Sequence, residues 1–453
     1  MHSFFKNKAS IGLVALLCSV GLVGASCGSA QQTPPTAVEI DVWRTEDSDE
    51  LERIAQTYQE TYSHVTFNFR SFKEEEYEEA LFSAWSKGEG PDIFSVPNFE
   101  FGKYREFVSP MPAAGLYKRA YTEKSFGKTT LVVEERSVQF PTPNQIRDQY
   151  VTAVADDVVY NDIVYGIPYS MDTMVMYYNR DLLAQAQVAV PPTNWLEFVN
   201  ASQAITELDD EQNVVLSAAA LGESENVDHY FDIVSLLMMQ NGAEMTTNTG
   251  SVTFAREGDS GNLPGAEALG FYSSFSDLAL QTYSWNEDQL QSLEAFTQGN
   301  LAFYFGYYED LETIQRRSPN LNFSYTKVPQ VDPGNPVNYA HYDIESVHIG
   351  SENPSHAWNF IRFAADQNQI AAYLEETERL PALKTLVGDQ QDDPDTGVFV
   401  QQALTAESWY HGDDPEAALE IFADMIDEVN EKTSEIQDII ELGASKIALT
   451  INR

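Results

Sequence analysis

The alternation of strand and helix patterns over residues 38–96 constrains this chain more than any other feature. Val38, Ile40 and Val42 alternate with Glu39 and Asp41, the period-two pattern of a half-buried strand. Behind Ser48, a residue suited to cap a helix, Leu51, Ile54, Ala55, Tyr58 and Tyr62 recur at helical spacing. Val65, Phe67 and Phe69 repeat the strand pattern. Tyr77, Ala80, Leu81, Ala84 and Trp85 repeat the helical one, the chain turns over Gly88 to Pro91, and Ile93 to Val96 reads as a third strand. Successive strand–helix pairs need crossover connections, so the segment is expected to be a βαβαβ unit with a parallel sheet. In open α/β sheets ligands bind beyond the carboxyl ends of strands, which here are Trp43 to Asp47 and Pro97 to Phe101. Both loops carry an aromatic residue and an acid. Trp43 and Phe99 also suit a core at strand ends, and both roles stay open.

A chain of 453 residues exceeds the size at which single cores stop growing, so at least two domains are expected. The stretch Tyr165 to Asn179 reads as a crossing between them. Gly166 and Pro168 interrupt regular structure, and Met174 to Tyr177 have the character of a buried strand that Asn179, Arg180 and Asp181 end. Asp172 precedes that strand, placed either where two lobes meet or in a solvated loop. Asn161-Asp162, flanked by β-branched residues and tyrosines, predicts a hairpin leading into the crossing. Beyond it come a short helix over 182–186, a Pro-bounded helix from Trp195, a strand over 214–220, and a polar loop with Glu223, Glu225 and Asn226. The apolar segment 230–240 reads as a buried helix, and Leu301 to Phe305 as a strand ending on Gly306, Tyr307 and Tyr308. A second crossing is expected over 329–338, a further strand over 342–349, a helix through Ala357 to Phe363, a break at Arg379 to Ala382, and two amphipathic helices over 417–449. From Met111 to Tyr150 the periodicity fades and Lys and Arg become frequent, which reads as a long loop. Its Gly127-Lys128-Thr129 lacks the first glycine of a phosphate-binding loop, since position 122 is Thr122. The acidic run 389–395 does not match calcium-loop spacing and reads as a surface loop.

The net charge of −44, from 70 acidic and 26 basic residues, argues against a nucleic-acid partner, because phosphates would be repelled. It fits a cationic ligand, a salty habitat or solubility alone. At the N-terminus, Lys6 and Lys8 precede an apolar run from Ile11 to Val23, too short to span a membrane comfortably and suited to a signal-peptide core. Gly24-Ala25-Ser26-Cys27-Gly28 resembles the lipobox of bacterial lipoproteins, with Gly24 where Leu is usual, so that Cys27 would become the lipidated first residue. The alternative is an ordinary signal peptide cleaved near Ala30. Of the two cysteines, Cys18 lies in the removed segment, so disulfide, thiolate-metal and cysteine-nucleophile chemistry are not expected. Gln31 to Thr36, with Pro34-Pro35, reads as a tether. No metal-ligand, cofactor or nucleophile motif stands out, so neither a cofactor nor a metal is expected.

Several short pieces occur in a telling order: Gly90-Pro91-Asp92-Ile93, Tyr165-Gly166-Ile167-Pro168, Tyr178 to Leu183, and Pro192 to Phe198. Phe296-Thr297-Gln298-Gly299 leading to Gly306, Ser355 to Trp358, and Leu380-Pro381-Ala382 follow. Together they resemble the extracellular solute-binding proteins of ABC importers, the group like maltose-binding protein. The loop from Met111 to Tyr150 is longer than that family usually has. The resemblance implies a periplasmic-binding-protein-like α/β fold of two lobes, a hinge of several crossings and a ligand cleft that closes. It implies a leader over 1–26, a lipidated tether over 27–37, one lobe from 38–167 with 331–372, and a second from 173–326 with 373–453. It implies a monomeric receptor anchored by lipid outside the cytoplasm, partnered by permease subunits, usually for a sugar or oligosaccharide. The ligand contacts it implies are Glu46, Asp47, Asn98, Glu100, Asp172, Glu223, Asn226, Tyr307 and Tyr308, with Trp43 and Trp409 beside them. Aromatic faces for sugar C–H surfaces and carboxylates for hydroxyls are the chemistry such a cleft needs. The acids Glu46, Asp47, Glu100 and Asp172 equally suit a polyamine or other cation, and two of them could serve a glycosidase if spaced for it.

Overall fold

The computed structural model describes residues 33–451 apart from positions 47, 248 and 259. The expected leader, Cys27 and Asp47 therefore lie outside the described residues. Strands β1 (Val38–Arg44) and β2 (Val65–Ser71) pair in parallel from Val38↔Val65 to Arg44↔Ser71, and β3 (Ile93–Pro97) lies parallel to β1 on its other side. The strand Asp343–Val347 closes this sheet antiparallel to β3, with Asp343 opposite Pro97. Helices Asp49–Thr61 and Pro354–Ala364 pack together over it. The first begins with Asp49, Glu50 and Glu52, which suit the positive end of the helix dipole. Ser48 makes no side-chain cap; its Oγ instead meets Ser71 Oγ at 3.3 Å at the end of β2. Tyr58 is fully buried with its ring edge-on to Phe360 at 5.7 Å, and Asn359 donates to its hydroxyl at 2.8 Å, so the one polar atom it carries into this core is satisfied.

The second sheet runs in the order 207–208, 214–219, 301–306, 175–179, 323–327. Its strand Leu301–Gly306 is buried at every position, as an unbroken apolar run requires when helices cover both faces. Asn179 ends the strand before it and caps the next helix, its Oδ1 accepting from the amides of Asp181 at 3.0 Å and Leu182 at 3.2 Å. Between the two sheets lies a three-stranded hinge of 406–407, 338–341 and 172–173, with Ala340↔Thr173 and His341↔Asp172 antiparallel. The expected fold, two α/β lobes joined by several crossings, is the one observed. The division expected between residues 372 and 373 falls inside the helix Gln367–Thr377, which packs on the first lobe's helix 49–61. The hairpin at Asn161-Asp162 is present, with strands 159–160 and 163–164 and both turn residues at positive φ.

The stretch expected to be a long loop differs most. Strands β4 (Ala114–Ser125) and β5 (Lys128–Gln139) form a two-stranded ribbon paired from Ala114↔Gln139 to Ser125↔Lys128. A ribbon wetted on both faces has no buried side, so the apolar alternation that reveals a strand is erased. Gly127, set aside above as a phosphate-loop remnant, is a turn residue at φ 78°.

The lobes also touch directly. Phe99, just past β3, lies 4.9 Å from the ring of Phe231 and 5.1 Å from that of Tyr410, and Lys103 reaches Glu416 at 3.1 Å. Gly102 is required there: a Cβ would stand 2.2 Å from the Gly412 carbonyl oxygen.

Candidate functional site

The carboxyl end of β1 presents an aromatic platform. The half-buried Trp43 ring lies 4.7 Å from Phe72, and the Arg70 guanidinium sits over both, 5.0 Å from the first and 4.2 Å from the second. The Tyr77 hydroxyl donates to the Trp43 carbonyl at 2.8 Å and fixes the backbone beneath. The next residue, Arg44, turns inward and is 1% exposed. Its Nη2 lies 2.8 Å from Glu46 Oε2 and 2.9 Å from Glu345 Oε1, while Arg379 meets the other oxygen of Glu46 at 2.6 Å and Tyr373 donates to Glu46 at 3.3 Å. Nε and Nη1 of Arg44 and both oxygens of Glu345 lack an aligned hydrogen bond, so this ion pair is held by charge more than by geometry. Burial pushes the Asp343 carboxyl up, and Glu46 adds to the shift against the pull of Arg44, His341 and Arg379. Burial also raises Glu100, to about 7.

The second lobe answers with a hydrogen-bonded cluster. Tyr307 is fully buried, donates its hydroxyl to Asp232 at 2.8 Å, and lies 4.9 Å from the His229 ring and 5.1 Å from that of His341. His229 Nε2 stands 3.5 Å from Asp310 Oδ2, which also accepts from the Tyr307 amide at 2.9 Å and the Tyr304 hydroxyl at 3.1 Å. Burial alone would lower the His229 imidazole, but the carboxylates of Asp310, Asp232 and Asp228 outweigh it and hold it at about 9. His341, on the hinge, offsets part of the burial-driven rise of Asp343 in one lobe and of Asp232 in the other.

The remaining candidates have definite places. Tyr308 is half-buried, edge-on to Phe399 at 5.0 Å, and its amide donates to Asp172 Oδ2 at 2.7 Å. Asp172 thus receives the first amides of the helix Tyr308–Arg317 as well as that of Thr173, while burial raises its carboxyl. Asn98 is buried and donates to Asp157, which also accepts from the Tyr342 hydroxyl, from Ser408 at 2.6 Å and from His411 Nε2 at 2.7 Å. This hub ties the end of β3 to the hinge and to the 408–411 segment. Asn226 holds the 284–292 loop, donating to the carbonyls of Asn286 and Gln289 and accepting from Trp285 at 2.8 Å. Trp409 is buried beside Phe231, their rings 5.7 Å apart, and donates to Ser235 at 2.9 Å. Glu223 is raised to about 7 by burial and by Asp427, Glu287 and Glu225, a group of acids apart from the Glu46 cluster. Sequence reading missed Arg44, Asp157, His229, Asp232, Asp343, Glu345 and Arg379. Only two of these left a trace: the acids at 343 and 345 share one face of a strand otherwise buried, which demands a buried cation.

These shifts set a pH dependence. Glu100 and Glu223 rise from an ordinary 4.5 to about 7, and His229 from 6.5 to about 9. In each window the folded chain binds more protons than the unfolded one, so stability falls as pH rises from 4.5 toward 9. Scanning calorimetry is expected to give a higher Tm at about pH 5.5 than at about pH 9, with salt recovering part of the loss because it screens the −44 net charge. A Tm that rises over that range would contradict the assignment of these groups.

Two lobes, a three-stranded hinge and strand ends lined by rings and charges define a two-lobed ligand-binding protein of the periplasmic-binding class. The chain belongs to the bacterial extracellular solute-binding protein family, whose model matches residues 53–425. A galactooligosaccharide-binding protein of Bacillus subtilis is 20% identical over 310 residues, 67% of this chain and 62% of that protein. A binding protein of Brucella abortus is 24% identical over 246 residues, so the chain spans little more than half, 56%, of that relative's length. Among solved structures, the cyclic α-maltosyl-1,6-maltose-binding protein of Arthrobacter globiformis superposes with a TM-score of 0.71 at 17% identity, over 92% of this chain and 99% of its own. A cyclo/maltodextrin-binding protein complexed with maltotetraose gives 0.69 at 15%, over 93% and 99%. No helix among the described residues is long and apolar enough to cross a membrane.

Proposed function

We propose that this chain is the lipid-anchored substrate-binding component of an ABC importer, which captures a sugar or oligosaccharide by cleft closure and delivers it to the permease. The observation that carries this reading is the Trp43–Phe72 platform beside the Glu46–Asp343 acids, across the hinge from the Tyr307–Asp232–His229 cluster. A pyranose offers an apolar C–H face to such a ring and hydroxyls to such carboxylates. The names of the Bacillus relative and of the maltodextrin-binding neighbours support a saccharide ligand. Ligand contacts are proposed at Trp43, Glu46, Glu100, Asp343, Tyr308 and His229, with Asn98, Asn226 and Trp409 framing the cleft. The lobes proposed are 38–167 with 331–377, so that the helix Gln367–Thr377 stays whole on the first lobe, and 173–326 with 378–453, acting as a monomer without catalysis. A polyamine ligand is less favoured, because Glu46 already carries two arginines.

A thermal-shift screen against mono- and oligosaccharides, polyamines and amino acids tests this. A ligand at a hundred times its Kd adds about 2.7 kcal/mol to stability. A saccharide hit that is recovered unhydrolysed is expected; a polyamine hit, or turnover of the sugar, overturns the reading. Trp43→Ala and Tyr308→Ala are each expected to weaken binding by about 1–4 kcal/mol by isothermal titration. Asp172→Ala is expected to cost in addition about 1 kcal/mol of stability, because the first amides of helix 308–317 lose their acceptor.

A further inference from the structure

We propose that the β4–β5 ribbon is a membrane-contact arm, whose tip Lys124-Ser125-Phe126-Gly127-Lys128 seats Phe126 among the headgroups of an anionic lipid bilayer. Each strand has 12 residues, a reach of about 40 Å at 3.4 Å per residue. The base is anchored by Tyr117, which is 1% exposed, donates to the Ser355 carbonyl at 2.8 Å and packs its ring 6.1 Å from Tyr62 and 5.4 Å from His356. Farther out the ribbon binds itself: Tyr121 donates to Glu134 at 2.8 Å beneath Arg119.

The apex is not built for the turn alone. Phe126 and Gly127 both have positive φ, 47° and 78°, the two-residue hairpin turn that favours Asn-Gly. A bulky aromatic in the left-handed region is uncommon, and this one is 106% exposed with a lysine on each side. The ribbon carries five basic and three acidic residues in a chain of net charge −44. Its length makes that local sign count, since the extended strand from the buried Tyr117 to the tip is about 30 Å long, several Debye lengths of about 8 Å at physiological ionic strength. A narrow convex tip offers far less than the roughly 1,200 Å² of a stable protein interface. A bilayer surface, by contrast, accepts one amphipathic or aromatic side chain flanked by lysines.

The placement agrees. Tyr62 follows the helix that starts at the carboxyl end of β1, so the base of the arm lies at the amino ends of β1–β3, opposite the cleft. The start of β1 lies at that same pole, where the Val38 amide donates to the His64 carbonyl at 2.8 Å and the His64 ring lies 6.5 Å from Tyr62 and 5.5 Å from His356. Arm and tether together would hold the lobe on the membrane with the cleft facing the medium. This setting rests on the anchored-receptor reading, but the test does not.

The chain lacking residues 1–27, and hence any lipid, is floated with vesicles of phosphatidylcholine containing about 30% phosphatidylglycerol, and with phosphatidylcholine alone. Binding to the anionic vesicles is expected to fall about tenfold or more in Phe126→Asn, which suits the turn, and in Lys124→Glu with Lys128→Glu. It is expected to peak near 0.15 M salt, because at about 0.01 M the body's repulsion reaches the membrane and at about 0.5 M the lysines are screened. Binding indifferent to these substitutions, or no binding by the parent chain, overturns the proposal. Loss of solute uptake in Phe126→Asn cells without vesicle binding assigns the tip to a protein partner, and a Phe126-dependent dimer assigns it to a second copy; either overturns the lipid reading. The vesicle assay reads the arm and the ligand screen reads the cleft, so each can fail without the other.

Discussion

Alanine in place of Arg44 is expected to cost about 3–5 kcal/mol of folding stability, because it leaves Glu345 buried at 1% exposure with no cation and removes one of two arginines from Glu46. Urea unfolding should show a lowered midpoint with the slope unchanged. The loss is mostly the burial of an unpaired charge and not the worth of the ion pair, so Glu345→Gln added to the same chain should recover much of it. Arg44→Lys should fall between, since it keeps the charge but buries an ammonium that is more strongly hydrated than the guanidinium. A loss under about 1 kcal/mol would mean that water already reaches this pair, and the buried-charge account of the first lobe would be abandoned.

Asp157→Ala is expected to cost about 3 kcal/mol or more, since its carboxylate accepts from Asn98, Tyr342, Ser408 and His411 together. Those donors come from the first lobe, the hinge and the 408–411 segment, so the loss should be felt in how the lobes are held as well as in stability. Small-angle scattering of the variant should show a broader distribution of lobe separations and a weaker ligand response than Trp43→Ala produces at equal stability. An unchanged scattering profile with a lowered Tm would reduce Asp157 to a packing role.

The two substitutions touch residues of opposite legibility. The strand containing Arg44 could be read from its alternation, and so could the helices behind it, because local spacing fixes which face is buried. The purpose of Arg44 could not. Of its partners, Glu46 is near in sequence, but the buried Glu345 stands some 300 positions later in the chain, in a strand that enters the first sheet antiparallel after the chain has passed through the second lobe. Asn98 and Asn226 show the converse. Each stands in a loop where a polar residue suits a ligand contact, yet their amides are engaged within the chain, Asn98 to Asp157 and Asn226 to the loop it supports.

The ribbon marks another limit. Residues 114–139 gave no period because a two-stranded arm in water has no buried face to write into the sequence, whereas the hairpin at Asn161-Asp162 was legible from its turn residues alone. By itself the sequence determined the strand–helix succession, the two crossings and hence two α/β lobes, because these follow from the periods of buried side chains and from Gly and Pro at the breaks. Tertiary structure alone decided which acids share the hinge with His341, which carboxylates are neutralised by Arg44 and Arg379, and where the ribbon points, since charge pairing in a low-dielectric interior depends on distances between segments remote along the chain.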